Sequence, residues 1–274
     1  MKTKLFHLLT VYLFFFSLQA CNSVSANTIS MEEASSSLQT YISSTGSNDE
    51  LLNNIQAKID QAFMSSIMSN DLSALNDIYS ELKQLNEKNP NNLINYWMAY
   101  TNYQQAICYI KKGDRTNSEA SCEKGIEMLE DIDKMNSEDF ALLAYITSFS
   151  IQFKGGLKAA ATSSKVKKYA EKALDLSDKN LRAYYVLGSN DFYTPEQFGG
   201  GKKAEALLTK AIDCEHQIIK GDYFPSWGKE GAYELLIKCH IKNENLDKAK
   251  AVYKQAVAEY PESYMINQLA QKLI

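Results

Sequence analysis

Apolar residues follow a helical period along most of the chain, and one spacing occurs twice. A small, a large and a second small residue follow one another at offsets of four and three. The two occurrences are Ala204, Leu208, Ala211 and Ala249, Tyr253, Ala256. Such a seam lets one helix pack closely against its neighbours, and a recurring unit buries its apolar face only against the next unit. The pattern predicts an all-α array of helix pairs that offers a surface rather than one active-site pocket.

The same period predicts about five antiparallel helix pairs and a last helix that caps the array. The helical domain covers residues 51–274, and its clearest repeats are 181–219 and 230–261. Ser137 is the expected N-cap of the third pair, whose first helix is apolar nearly all round and should be central in the stack. The predicted pairs lie within 51–89, 96–132, 137–176, 181–219 and 230–259, and the capping helix within 263–273.

The N-terminal segment determines the expected compartment. Lys2 and Lys4 precede an apolar run that ends at Leu18, which has the length of a signal-peptide core. The tetrad Leu18-Gln19-Ala20-Cys21 resembles a bacterial lipobox, so residues 1–20 are expected to be removed and Cys21 to carry lipid. Two alternatives stay open: cleavage after Val24-Ser25-Ala26, which would release a soluble secreted protein, and an uncleaved membrane anchor.

Residues 21–50 are rich in serine and are predicted to tether the helical domain to the membrane. A short helix is expected inside this tether, because Ser30 and Glu33 form a capping-box pattern ahead of an apolar stripe. It should end near Gly46. The lipid anchor would then hold the folded domain at the membrane without inserting it.

Composition and charge exclude several classes of function. The net charge is −4, and no basic stripe of the kind that binds nucleic acid is present. His216 and His240 stand outside any ligand cluster, so no metal or other cofactor is expected. No nucleophile and base are suitably spaced, so the chain is not expected to be an enzyme. The cysteines after Cys21 could be packed thiols or disulfides; they are Cys108, Cys122, Cys214 and Cys239.

The fifth helix pair resembles the tetratricopeptide repeat (TPR), a helix–turn–helix unit. The residues that match its pattern are Tyr233, Leu236, Ala249, Tyr253, Ala256 and Pro261, and the fourth pair matches at Tyr184, Leu187, Gly188, Ala204, Leu208 and Ala211. The resemblance implies a right-handed superhelix of helix pairs. It also implies a concave groove, lined by the first helix of each pair, that binds an extended peptide.

The stretch from Tyr193 to Ala204 is similar to a signature of TPR proteins in the bacterial envelope. That group includes the lipoprotein T component of tripartite periplasmic transporters. The turn residues are Pro195, Phe198, Gly199, Gly200 and Gly201. We expect the glycines to turn with positive φ and Phe198 to plug the hairpin. A phosphate-binding loop is the alternative, because glycines precede a helix N-terminus.

Aromatic residues without a core position are the best candidates for partner contacts. Trp97 is expected off the apolar stripe of its helix, and others occupy loops or groove positions. The partner-binding candidates are Trp97, Tyr185, Ser189, Phe192, Tyr193, Trp227, Glu234 and Lys238. They favour a non-catalytic envelope scaffold that binds a protein or peptide. Two alternatives remain: an accessory subunit of a periplasmic solute-uptake system that binds or passes a small ligand, and a role in outer-membrane barrel assembly.

Overall fold

The computed structural model describes residues 50–214 and 223–274. In these ranges the chain forms eleven α-helices. They are α1 (Ile55–Ser69), α2 (Ser73–Lys88), α3 (Asn92–Lys111), α4 (Arg115–Glu130), α5 (Ser137–Ser150), α6 (Gly156–Leu176), α7 (Leu181–Tyr193), α8 (Ala204–Asp213), α9 (Lys229–Lys242), α10 (Leu246–Glu259) and α11 (Tyr264–Asn267). The predicted signal peptide, Cys21 and nearly all of the tether lie outside the described residues.

The helices pack in consecutive pairs, which confirms the predicted TPR-like array. The five pairs are α1 with α2, α3 with α4, α5 with α6, α7 with α8, and α9 with α10. The predicted capping helix is shorter than expected: α11 is one turn, capped by Ser263, and continues as a 3₁₀ helix over Gln268–Lys272. Within the described part of the chain, no helix combines the length and the apolar character needed to cross a membrane.

The small–large–small seams lie at the helix contacts, as predicted. Ala204, Leu208 and Ala211 are fully buried, and so are Ala249 and Ala256. A Cβ atom added to Gly188 on α7 would lie 2.7 Å from Cγ of Leu208. Only a residue without a side chain therefore allows α7 and α8 to come this close. Helix α5 has the predicted central position, because most of its apolar residues are buried.

The start of α5 differs from the prediction by one residue. The N-cap is Asn136, and Ser137 is the first helical residue. Asn136 accepts hydrogen bonds from the backbone N–H groups of Glu138 and Asp139, while the Asp139 carboxylate accepts one from the backbone N–H of Asn136. This reciprocal capping box satisfies donors that the first helical turn leaves free. The hydroxyl of Ser137 instead donates to the carbonyl of Ala173 on α6.

The glycine turn between α7 and α8 is tight, but Phe198 does not plug it. Positive φ was expected for all three glycines; Gly199 and Gly201 have it, at 87° and 76°, and Gly200 does not. Position 200 has room only for glycine, because a Cβ there would lie 1.9 Å from the carbonyl oxygen of Thr194. Phe198 is 74% exposed, so the prediction of a buried plug is wrong. The turn is packed so closely on its own backbone that no room is left for the ring.

The acidic side chain of Asp191 occupies the N-terminus of α8. Its Oδ2 accepts hydrogen bonds from the backbone N–H groups of Lys203 and Ala204, at 2.7 and 2.8 Å. A phosphate at this helix end would need the same donors and would meet a negative charge. The turn therefore positions α8 against α7 and is not suited to bind an anion.

Asp139 should make stability depend on pH. Burial raises the pKa of its carboxyl from 3.8 to about 7, so the native state holds this proton more tightly than the unfolded chain does. The carboxyl stabilises the fold fully below about pH 4, and this contribution is lost as the pH rises through about 7. Asp139→Asn keeps an acceptor for the Asn136 N–H but cannot ionise. From pH 4 to 7, the free energy of unfolding, measured in urea, should fall more for the wild type than for Asp139→Asn. Parallel curves would contradict this account.

Candidate functional site

The first helix of each pair contributes to one surface, here called the inner face, which is formed by α1, α3, α5, α7 and α9. Three tyrosines on consecutive first helices form a ladder across it. The ring centroids of Tyr103 and Tyr145 lie 4.8 Å apart, and those of Tyr145 and Tyr185 lie 5.8 Å apart. Burial raises the pKa of all three phenols above the ordinary value. The ladder is therefore uncharged and packs as an apolar strip.

Residues 223–228, here called the return segment, precede α9 and reach the far end of the inner face. The carbonyl of Tyr223 accepts a hydrogen bond from Trp97 Nε1 on α3, at 3.0 Å, and the Tyr223 hydroxyl donates to Asn53 Oδ1, at 2.8 Å. Gln56 on α1 accepts from the backbone N–H groups of Ser226 and Trp227, at 2.7 and 3.2 Å. The segment that leads into the fifth pair is thereby bound to the first two pairs.

The indole of Trp227 occupies the inner face between two tyrosine rings. It stacks on Tyr145 with a centroid distance of 4.7 Å and on Tyr100 at 6.4 Å, with interplanar angles near 20°. Its Nε1 donates to the hydroxyl of Tyr96 at 2.7 Å. Stacked rings with a satisfied indole donor make a stable contact, since a buried Trp N–H needs a partner. Trp227 therefore fills this part of the inner face.

Arg182 on α7 joins the return segment to α5. Its guanidinium is bidentate with Glu138, through Nε to Oε2 at 2.5 Å and Nη2 to Oε1 at 2.7 Å. Nη1 donates to the carbonyl of Trp227 at 3.2 Å, and the guanidinium lies 5.7 Å from the centre of the indole ring. Arg182 is 4% exposed, so removing Glu138 would leave a buried guanidinium without its counter-charge.

A hydrogen-bonded group closes the first-pair end of the inner face. Asp60 on α1 accepts from the Tyr100 hydroxyl at 2.9 Å and from the amides of Gln56 and Gln104 at 3.2 and 3.3 Å. Burial raises the pKa of Asp60, and these donors oppose that rise. Gln56 donates to Asp60 and also accepts from the return segment. It therefore links the end of the inner face to the return segment.

Two predicted partner contacts are corrected by this arrangement. Trp97 has no exposed surface, so the expectation that it lies off the apolar stripe of α3 is wrong. Its indole packs edge-on against Tyr96 and Tyr100. Trp227 is 9% exposed and is itself the occupant of the inner face. A groove open along all five pairs was expected, but the chain fills the part next to α1, α3 and α5 with its own residues.

The remaining candidates lie on α7 and α9. Tyr185 is half-buried, and its ring packs against Gly231, where an added Cβ would lie 2.8 Å from the phenolic oxygen. Glu234 and Lys238 form an ion pair one helical turn apart on α9. Burial is the main cause that raises the pKa of Tyr185, and the negative charge of Glu234 adds to it. Ser189, one turn beyond Tyr185, is also half-buried.

Two exposed aromatic side chains, Tyr193 and Phe198, lie at the end of α7 and in the turn that follows it; together with the half-buried Phe192 they are here called the aromatic patch. Tyr193 is 67% exposed and meets Phe192 edge-on at 5.0 Å. Lys242 on α9 lies 5.7 Å from the centre of the Phe192 ring and 3.5 Å from Glu196 in the turn. Sequence reasoning found Phe192 and Tyr193 but assigned Phe198 to the interior. The three consecutive glycines, Gly199 to Gly201, were the available sequence signal for a turn packed on its own backbone.

The other chemically active side chains are packed rather than assembled into a site. Among the described residues, no three His, Cys, Asp or Glu side chains lie close enough to hold a metal ion. Desolvation lowers the pKa of the buried His240. Cys108, Cys122, Cys214 and Cys239 are free thiols, and burial raises the pKa of Cys122 to about 12. These thiols are protonated at neutral pH and are weak nucleophiles.

Truncating Trp227 should destabilise the whole array. Trp227→Ala is expected to lower the free energy of unfolding by about 3–5 kcal/mol, because it leaves a cavity between Tyr100 and Tyr145. Trp227→Phe keeps a ring in the stack and loses the bond to Tyr96, for a cost of about 1–2 kcal/mol. Urea unfolding monitored by circular dichroism measures both. Tyr193→Ala is the exposed control, with an effect within about 0.5 kcal/mol; a Trp227→Ala effect no larger than this would refute the packing role.

Comparison with known proteins supports the fold. No known protein family matches the chain, and no curated protein matches its sequence. The similar solved structures include two of comparable TM-score. A TPR protein from Thermus thermophilus aligns with a TM-score of 0.51 and 14% identity, over 78% of this chain and 98% of that protein. The HusA haemophore from Porphyromonas gingivalis aligns with a TM-score of 0.52 and 21% identity, over 67% of this chain and 92% of HusA. The chain therefore has a TPR-like helical fold.

Proposed function

We propose that this protein is a non-catalytic helical scaffold of the bacterial cell envelope, lipid-anchored at Cys21, that binds a protein or peptide partner. The TPR-like array supports the scaffold role, because such arrays present an extended surface. The apolar run after Lys2 and Lys4 and the tetrad Leu18-Gln19-Ala20-Cys21 support the envelope location. The anchored domain would face the periplasm or the exterior.

The observation that carries the partner-binding role is the aromatic patch at the end of α7. Tyr193 and Phe198 present large apolar surfaces to solvent. Close contacts hold the backbone beneath them: Gly200 packs on Thr194, and Asp191 accepts a hydrogen bond from the backbone N–H of Ala204 at the start of α8. Aromatic anchors on a preorganised backbone lose little conformational entropy on binding and often dominate interface energies. A free monomer gains nothing from exposing them.

The open part of the inner face beside the patch completes the proposed contact surface. Ser189 lies on α7 between Tyr185 and Phe192. On the adjacent α9, Glu234 and Lys238 form an ion pair that supplies one negative and one positive charge. An apolar centre beside a partly exposed polar rim is the usual composition of a protein interface. The partner would therefore bind across α7 and α9, away from the return segment.

A small-ligand site on the inner face has less support. HusA is named a haemophore, but its likeness to this chain concerns the fold. The space between Tyr100 and Tyr145 that a flat ligand could use holds Trp227. The bond from Trp227 Nε1 to Tyr96 would also have to break. The partner surface on α7 and α9 needs no such rearrangement.

Lipidation at Cys21 predicts incorporation of a fatty acid into the protein. Cells grown with an alkyne-bearing palmitate analogue should label the wild type, and Cys21→Ser should lose the label because the thiol that accepts the lipid is gone. Cys108→Ser is the matched control, since this buried thiol should not affect labelling. Equal labelling of wild type and Cys21→Ser would refute the anchor. A mature N-terminus at Asn27 would instead identify the soluble secreted form.

The aromatic patch predicts where a partner can be crosslinked in the cell. A photoreactive phenylalanine analogue at position 198 should give a discrete adduct, and Tyr193→Ala should weaken it about tenfold, as expected when an interface anchor is lost. The same analogue at Tyr264 is the control, because this residue is 80% exposed and lies on α11. Equal adducts from positions 198 and 264, or an adduct unaffected by Tyr193→Ala, would contradict the assignment.

A further inference from the structure

A cleft of about 380 Å³ opens on the opposite side of the first two pairs, between the second helices α2 and α4, with α3 as its floor. It is here called the outer cleft. It is lined by Asn76, Tyr79, Ser80, Asn102, Gln105, Tyr109, Asn117, Ala120, Ser121 and Lys124. Its volume falls within the range of about 300–1,000 Å³ typical of small-molecule sites. None of these residues belongs to the aromatic patch or to the return segment.

Four amide side chains line the outer cleft, and three of them, Asn102, Gln105 and Asn117, use the NH₂ group within the protein. Asn102 Nδ2 donates to the carbonyl of Met98 at 3.0 Å, Gln105 Nε2 to Asn76 Oδ1 at 2.8 Å, and Asn117 Nδ2 to Asp114 Oδ2 at 2.6 Å. These bonds fix the orientation of the amides. The three carbonyl oxygens accept no hydrogen bond from any described residue.

Two of these amides belong to the buried floor. Asn102 is 1% exposed and Gln105 is 8% exposed. Among the described side chains, the polar atoms that are both sealed from solvent and without a partner are Ser66 Oγ and His240 Nδ1. Asn102 Oδ1 and Gln105 Oε1 are not among these sealed atoms, and both side chains line the outer cleft. Buried polar atoms normally have a partner, so two unpaired acceptors on one floor point to a ligand that donates.

The charges around the outer cleft define the ligand further. No carboxylate of the described residues lines it, so a cation would find no counter-charge among them and would meet Lys124. The ammonium of Lys124 lies 4.0 Å from the centre of the Tyr79 ring and has no carboxylate partner among the described residues. Phosphate or carboxylate would face the carbonyl oxygens of the floor, which repel an anion. A neutral molecule that both donates and accepts hydrogen bonds fits this lining.

We propose that the outer cleft binds a neutral saccharide of one or two rings, whose hydroxyl groups donate to Asn102 Oδ1 and Gln105 Oε1 and accept from Lys124 Nζ and Ser121 Oγ. Each sugar hydroxyl can both donate and accept, which matches amide oxygens, a hydroxyl and an ammonium set close together. The half-buried ring of Tyr109 offers an apolar face to the ring carbons. This binding site is independent of the proposed partner surface on α7 and α9.

Calorimetric titration of the purified full-length protein tests the proposal. The probes are glucose, galactose, N-acetylglucosamine, maltose and cellobiose, with glucuronic acid, glucosamine and triglycine as charged and peptide comparisons. At least one neutral saccharide should bind saturably at millimolar concentration or below. Gln105→Met keeps the side-chain length but removes the acceptor. It should raise the dissociation constant of that saccharide about fivefold or more. Lys124→Met should have a similar effect.

Lys83→Met is the matched control, because Lys83 lies on α2 outside the lining and should leave affinity unchanged. Circular dichroism establishes that each variant is folded. Lys124 is exposed, so Lys124→Met provides the test if Gln105→Met fails to fold. The proposal is overturned if no neutral saccharide binds, if a folded Gln105→Met or Lys124→Met binds as the wild type does, or if glucuronic acid, glucosamine or triglycine binds more tightly than every neutral saccharide. The crosslinking experiment at position 198 tests the proposed partner surface and not the outer cleft, so its result does not affect this test.

Discussion

The contact of Trp227 with the inner face is the constraint on which the rest of the structure depends. A helical array normally holds together through neighbouring units alone, so that each pair contacts only the next. Here the return segment bonds to residues about 170 positions earlier in the chain. The indole also stacks between Tyr100 and Tyr145, and Arg182 ties its carbonyl to Glu138. Four of the five first helices are thus fixed relative to one another, and the array should unfold as one unit.

This constraint limits where the proposed partner could bind. The inner face is filled next to α1, α3 and α5, so an extended peptide cannot run along its full length. What remains open lies on α7 and α9, where Tyr185, Glu234 and Lys238 border the aromatic patch. A fixed backbone would also lower the entropy cost of binding at the aromatic patch, because a partner would not have to order the residues that carry Tyr193 and Phe198. In the proposed function, stability and partner binding therefore depend on different residues.

Local pattern predicted the helices and their pairing because both depend on residues close in sequence. The seams at Ala204, Leu208 and Ala211 fell at helix contacts because small residues are required wherever two helices approach closely. Trp97 and Trp227 were misassigned because their burial depends on contacts between distant parts of the chain. Trp97 is enclosed by its own helix and by the carbonyl of Tyr223. No period in the sequence reveals that a loop before the fifth pair returns to the first. The outer cleft could not be predicted from the sequence either, because Asn102 and Gln105 line the same cleft as Lys124 only after α2, α3 and α4 assemble.

The most direct test of the return segment is the hydrogen exchange rate of the Trp227 indole N–H, followed by nuclear magnetic resonance. The chain contains two tryptophans, so two indole signals can be assigned by replacing either residue. Both indoles donate to protein acceptors and are at least nine-tenths buried. The account predicts that both signals persist in D₂O as long as those of core backbone amides. Rapid loss of the Trp227 signal while that of Trp97 persists would show that the inner face is open, and would contradict the central claim.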